Sequence, residues 1–249
     1  MPTLANDSAF HPAAEPWLSV VIPAYNEERR LGATLESVLA FLRGKGEPFE
    51  VLVVDDGSRD GTAELARGHG VTVISLPANR GKGAALKAGA LASRGRRVLL
   101  IDADGSTPIN EVDRLVPRLA EASVVVGSRA LASSQIAVHQ PFYRRFLGKG
   151  FNAVLRVLGL TEFRDTQCGF KLLDGPLARR LFAELTVERF AYDVELLLLA
   201  RRHGERVAEV GVAWADDASS RVHPVLDSSQ MLWDVLRLSW RHRRRRGGA

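Results

Sequence analysis

Short apolar runs rich in β-branched residues recur along the first half of this chain, each closing on a polar or acidic loop, with stretches of helical periodicity between them. The runs cover 18–22, 50–54, 71–76, 97–101 and 123–126, and their β-branched content marks them as strands. Leu31, Leu35, Val38, Leu39 and Leu42 repeat at helical spacing up to Gly44 and Gly46, and further helices are expected over 62–67, 82–93 and about 110–121. Strands alternating with helices predict an α/β fold, a mainly parallel central sheet flanked by helices. Ligands of such sheets sit beyond the carboxyl ends of the strands. Here that rule selects 23–27, 55–60, 79–83, 102–107 and 127–129. The second half is less regular, with helices expected over about 144–158, 176–185 and 193–202, a loop over 164–169 and a strand over 206–214. Residues 1–16 are expected to form a loose segment, 17–224 one domain, and 225–249 a terminal helix with a basic tail.

Composition narrows the function. The 249 residues are 46% hydrophobic and 25% charged, which suits a folded globular protein and excludes a disordered one. Cys168 is the single cysteine, so no internal disulfide forms, and no Cys/His cluster offers a structural zinc site. No apolar stretch reaches the ~18 residues of a membrane span. The first residues lack the basic and apolar regions of a signal peptide, so a cytoplasmic location is expected. The formal charge of +5 equals the number of arginines in the tail, Arg241 and Arg243 to Arg246; without them basic and acidic residues balance. The sequence pI of 9.8 therefore reports a terminal segment, and nucleic acid is not an expected partner.

Leu99-Leu100-Ile101-Asp102-Ala103-Asp104-Gly105-Ser106 runs an apolar strand straight into two carboxylates. Alternate residues of an extended chain point the same way, so Asp102 and Asp104 can face one ligand. Such a pair suits Mg²⁺ or Mn²⁺, which bind one or two carboxylates and keep waters and substrate phosphates. The same pattern serves an Asp-rich turn capping the next helix, and spacing alone leaves both readings open. Val53-Val54-Asp55-Asp56-Gly57-Ser58 repeats the design, with Asp56 placed either to hold a ribose hydroxyl or a base N–H or to serve the turn. For Asp60-Gly61-Thr62 turn chemistry is the preferred reading. Asn79-Arg80-Gly81-Lys82-Gly83 opens a helix whose amides favour an anion, though it is neither a P-loop nor GxGxxG. Arg129, Arg144-Arg145 and Arg221 stand where a second anion could bind, or are solvated surface residues. The lone His139, His203 and His223 show no ligand spacing, and no GxSxG is present.

Together the segments SVVIPAYNEE (19–28), VVDDGSRDGT (53–62), NRGKGAALKAG (79–89), DADGSTP (102–108) and Gly127-Ser128-Arg129 resemble a family 2 glycosyltransferase of the GT-A fold. DTQCGFKLL (165–173) and RFAYDVELL (189–197) look most like dolichyl-phosphate β-glucosyltransferases, cousins of dolichyl-phosphate mannose synthases. The resemblance implies a nucleotide-diphospho-sugar donor, a divalent metal, inversion at the anomeric carbon and a polyprenyl-phosphate acceptor, with glucose from UDP-glucose the expected cargo. Carried over by position, Pro23, Tyr25, Glu27, Val54 and Asp56 line the nucleoside, with Lys82 and Ala103 adding to the donor site. Asp102 and Asp104, helped by Ser106, hold metal and diphosphate. Arg129 and Arg221 contact phosphates, and Arg129 with Arg144 and Arg145 serves the acceptor phosphate. Asp104 and Arg129 belong to the implied catalytic set with Asp193 and Glu195, the two candidates for positioning sugar hydroxyls or for base catalysis.

Competing readings are GDP-mannose as donor, transfer to a soluble hydroxyl acceptor, and a non-catalytic nucleotide-sugar-binding module. Eukaryotic glucosyltransferases carry an N-terminal membrane anchor, and none is read here. Attachment is instead expected to be peripheral, at the cytoplasmic membrane face. Over 227–242, Met231, Leu232, Val235, Leu236, Leu238 and Trp240, with Trp233, give an apolar surface, and the arginines that follow suit anionic lipid. The alternative is a helix packed on the domain with a solvated tail.

Overall fold

The structure, a computed structural model, describes residues 15–138, 150, 153, 155–156, 161–215, 231 and 233–238. The first half follows the expected alternation: β1 (Leu18–Ala24), α1 (Leu31–Lys45), β2 (Phe49–Asp55), α2 (Thr62–Gly68), β3 (Thr72–Ser75), α3 (Lys82–Ala92) and β4 (Arg97–Leu100). A short α4 (Val112–Leu115) leads to β5 (Val124–Ser128) and β6 (Gln135–Val138). The second half contributes β7 (Lys171–Asp174), α5 (Gly175–Glu184), α6 (Tyr192–Arg202), β8 (Val207–Gly211) and β9 (Ala213–Ala215). Seven strands form one sheet in the order β3-β2-β1-β4-β7-β5-β8, while β6 and β9 pair in a second, small sheet.

All pairings in the large sheet are parallel except those of β7, which runs antiparallel to β4 and β5. That reversal has a consequence for the site. The first residue of β7, Lys171, pairs with Leu100 at the carboxyl end of β4. The loop entering β7 therefore arrives at the same rim as the acidic loop leaving β4.

The central strands are buried on both faces, which explains their nearly continuous apolar runs. Val20, Ile22, Val53 and Leu99 pack on one face with Leu31, Leu35 and Val38 of α1. Val21, Val54, Val98 and Leu100 pack on the other with Leu86 of α3, Phe182 of α5 and Leu196 of α6. Pro23 does not close β1, as its place in the sequence suggests; it stays in the strand, in register with Val54. The β4 ladder ends at Val21, so on that side no partner strand awaits the missing N–H.

Other expectations change. The helix expected over 110–121 is α4 alone, between 3₁₀ turns at Ile109–Glu111 and Val116–Ala120. Pro117 lacks the donor that a continuing helix needs. The strand expected over 206–214 is two strands in different sheets. Gly150, Ala153, Leu155 and Arg156 are helical, and the rest of the helix expected over 144–158 lies outside the described residues. Among the described residues no helix is long and apolar enough to cross a membrane.

Helix α3 lies unusually close to the sheet: a Cβ on Gly89 would stand 2.4 Å from Val21 Cγ1 and 2.9 Å from Val54 Cγ2. In α1, a Cβ on Gly44 would meet nothing within 4 Å. Gly89→Ala should therefore cost about 1–3 kcal/mol through overpacking, whereas Gly44→Ala should gain about 0.5–1 kcal/mol of helix stability. Urea unfolding of both variants checks the opposite signs.

Candidate active site

The rim of the sheet is laced together by its own loops. Asn26, at a positive φ of 54°, donates its N–H to Ser58 Oγ at 2.8 Å and accepts Arg59 N–H at 2.7 Å on Oδ1. Glu27 N–H donates to Thr62 Oγ1 at 2.7 Å, and the Glu27 carboxylate is gripped by Arg30 at 2.7 and 2.6 Å. Asp60 accepts from Thr62 N–H, the turn chemistry expected of Asp60-Gly61-Thr62.

Asp56 and the 79–83 loop were each expected to face a ligand; in the structure they face each other. Arg80 N–H and Gly81 N–H each donate to an Asp56 oxygen at 2.8 Å, so the protein's own carboxylate occupies the amides just before α3. Burial pushes the Asp56 carboxyl above its ordinary range against these two hydrogen bonds. Val54 and Ala103 also depart from expectation, because both side chains are buried in the core. Pro23 and Tyr25 are half-buried at the end of β1.

With α3 so anchored, Lys82 at its start pairs with Asp102 just beyond β4. Burial would raise the Asp102 carboxyl, but Lys82, Lys171 and Arg129 outweigh it and hold the group below the ordinary range. Asp104 is pushed the other way, by burial first and then by the charge of Asp102. Its Oδ1 accepts Ser106 N–H at 3.0 Å, and Thr34 Oγ1 donates to Ala103 O at 2.8 Å, fixing the loop between the two acids. Gly169 borders the same place, where a Cβ would stand 2.1 Å from Asp102 Oδ2. Among the described residues, no group of three or more His, Cys, Asp or Glu could hold a metal ion. The Asp102–Asp104 pair supplies two carboxylates.

Sequence reasoning missed Lys171 and Asp165. Lys171 is fully buried; its Nζ donates to Cys168 O at 2.5 Å and pairs with Asp193. The Tyr192 ring lies between cations, 5.8 Å from Lys171 Nζ and 6.0 Å from Lys82 Nζ. Asp165 takes Arg129 as a bidentate partner, at 2.7 Å from Nε and 2.9 Å from Nη2, and the Trp214 ring lies 5.4 Å from the guanidinium. The fork of Arg129, expected on phosphates, is thus turned to Asp165. A lysine interrupting the apolar run Phe170-Lys171-Leu172-Leu173 was the available clue, since a buried cation demands a nearby anion.

Asp193 and Glu195 separate. Two residues apart on a helix they point in different directions. Asp193 faces Lys171, with burial raising its carboxyl against Lys171 and Lys82. Glu195 turns to the loop before α6, accepting Thr186 N–H at 2.8 Å, Thr186 Oγ1 at 2.7 Å and Val187 N–H at 2.6 Å. It holds a loop, away from the acidic pair. Arg144, Arg145 and Arg221 lie outside the described residues. Glu195→Gln should lower stability by about 1–3 kcal/mol, the range for weakened buried hydrogen bonds, while the folded fraction keeps its turnover. Chemical denaturation alongside activity per folded molecule measures both.

Known proteins place this architecture. Residues 19–181 match Glycosyl transferase family 2. A dolichyl-phosphate beta-glucosyltransferase of Drosophila melanogaster is 41% identical over 237 residues, 88% of this chain and 73% of that protein. Its Homo sapiens counterpart is 38% identical over 244 residues, 90% of this chain and 75% of that one. Among solved structures, mannosyl-3-phosphoglycerate synthase from Rubrobacter xylanophilus aligns with a TM-score of 0.70 at 22% identity, covering 94% of this chain and 76% of its own. Glucosyl-3-phosphoglycerate synthase from Mycobacterium tuberculosis, solved with Mn²⁺ and uridine-diphosphate-glucose, aligns with a TM-score of 0.68 at 20% identity, covering 96% and 84%. The solved structures share the fold. With a family match across most of its sheet and relatives this similar along most of its length, the chain belongs to the family 2 glycosyltransferases.

Proposed function

We propose that the protein transfers glucose from UDP-glucose, with inversion, onto a polyprenyl phosphate. The observation that carries the acceptor class is the state of the acids around Asp102. A sugar hydroxyl must lose a proton as it attacks, so a free carboxylate would have to stand by as base. Asp193 is paired with Lys171, and Glu195 is bound to the 186–187 backbone. A phosphate monoester is already an anion near neutrality and needs no base. Its oxygen forms a bond to the anomeric carbon from the face opposite the leaving group. The C–O bond to the nucleoside diphosphate breaks, and the diphosphate leaves with the electron pair. The names of the similar dolichyl-phosphate enzymes support the same acceptor.

Asp102 and Asp104, with Ser106 beside them, are the residues that would hold Mg²⁺ or Mn²⁺. The donor set fits: two carboxylates near enough for one to raise the pKa of the other are relieved by a divalent cation, whose remaining ligands come from water and diphosphate. Such an ion supplies neutralisation of charge on the departing diphosphate. Lys82, at Asp102, adds a second positive charge on the donor side. Lys171 keeps Asp193 neutralised, and Arg129 biases Asp102 toward its ionised form.

Asp104→Ala should lower turnover by on the order of 10²–10³, the usual cost of one electrostatic stabiliser. The fold should not suffer. A carboxyl whose folded pKa is raised costs stability above its unfolded value of about 3.9, so removing it should raise the melting temperature at neutral pH. The gain should vanish below about pH 4, where the group is protonated in both states. Incubating radiolabelled UDP-glucose or GDP-mannose with polyprenyl phosphate and extracting into organic solvent tests the substrates. Label in the lipid phase from UDP-glucose is expected. Label only from GDP-mannose overturns the donor, and label only on soluble hydroxyl acceptors overturns the acceptor.

A further inference from the structure

Residues 231 and 233–238 form a helical segment with two unlike faces. Met231, Val235 and Leu238 are buried, and Val235 and Leu238 pack with Leu155, Ala191, Val194 and Leu198. Trp233 and Leu236, three residues apart, are 62% and 46% exposed. The apolar surface read from the sequence thus divides, one half spent on the domain and one half facing outward. Arg237 is also exposed, and Arg241 and Arg243 to Arg246 follow with no acidic residue after Asp234.

We propose that Trp233 and Leu236, with the arginines that follow them, dock this segment onto an anionic lipid surface. Two outward side chains cover far less than the roughly 1,200 Å² that a stable protein interface buries. Interfacial lipid binding needs no such area, because shallow apolar insertion and attraction to anionic headgroups add together. A tryptophan beside an aliphatic residue, followed by uncompensated arginines, supplies both parts. Placement gives docking a use. Ala191 and Val194 pack in the same cluster as the segment, while Tyr192 and Asp193 between them face Lys82 and Lys171. The C-terminal segment and one turn of α6 therefore lie between the outward Trp233 and Leu236 and the charged cluster. A lipid surface bound there holds the protein at the membrane, where a polyprenyl phosphate resides. This last step rests on the polyprenyl-phosphate reading; docking itself does not.

The test is sedimentation of the full chain with vesicles of phosphatidylcholine alone or containing phosphatidylglycerol, at low and high salt. Binding is expected only with the anionic lipid and is expected to fall with salt. Trp233→Ala with Leu236→Ala should weaken partitioning about tenfold, and Gln in place of the five tail arginines by at least about tenfold. Brominated lipid should quench tryptophan emission in the native chain and less in Trp233→Ala. UDP-glucose affinity, measured by calorimetry, and transfer to a short water-soluble isoprenoid phosphate should stay unchanged in both variants. Equal binding to neutral vesicles, unchanged binding by the Trp233/Leu236 variant, or a dimer in solution that this variant dissociates would each overturn the proposal. A docked protein inactive on every isoprenoid phosphate would instead overturn the acceptor reading and leave docking intact.

Discussion

Asp102 carries the charge around which the rest of this molecule is arranged. It stands just beyond an apolar strand, where burial alone would favour its protonated form, and three cations from three different elements keep it ionised. Each cation reaches it by a separate device. Lys82 comes from the start of α3, Arg129 from just past β5, and Lys171 from the first residue of β7. The antiparallel direction of β7 is what makes the third possible. A parallel strand in the same register would pair Lys171 with Arg97, at the opposite end of β4 from the acids.

The cations are in turn held by acids of their own. Asp165 fixes Arg129 through a bidentate pair, and Asp193 fixes Lys171. Asp56 does the same for Lys82 indirectly, by clamping the backbone immediately before it. The result is a preorganised field of alternating charges whose members are each restrained by a partner. Such a field costs little reorganisation when negative charge develops on a departing diphosphate, which is where electrostatic preorganisation contributes most to rate.

The strands that end at the rim are legible in the sequence because both their faces are buried, leaving runs such as Val51-Leu52-Val53-Val54 with no competing pattern. The acidic pair is legible for the same reason, since two carboxylates directly after Leu100-Ile101 stand out. β7 is harder to read. Four residues beginning with lysine and ending with aspartate look like the polar margin of a neighbouring helix until the partner strands are known. The roles of Asp56 and Glu195 depend on tertiary contacts 24–25 and 8–9 residues away in sequence, respectively, which no local period encodes. Val54 shows the converse. It stands one residue before the end of β2, next to the acidic loop, yet its side chain belongs to the core that α3 covers at Gly89.

Helix α6 shows how one element can serve chemistry and attachment without confusing them. Its first turn presents Asp193 toward Lys171, and Val194, one residue on, toward the C-terminal segment. Glu195, a further residue on, secures the loop that precedes the helix. Three successive side chains point about 100° apart, so each meets a different environment. Moving any one of them shifts the backbone that the other two share. A base placed freely in this turn would need to give up the Lys171 pair or the Thr186–Val187 contacts, and either loss would leave a buried charge unpaired. The turn is therefore ill suited to removing a proton from a neutral acceptor.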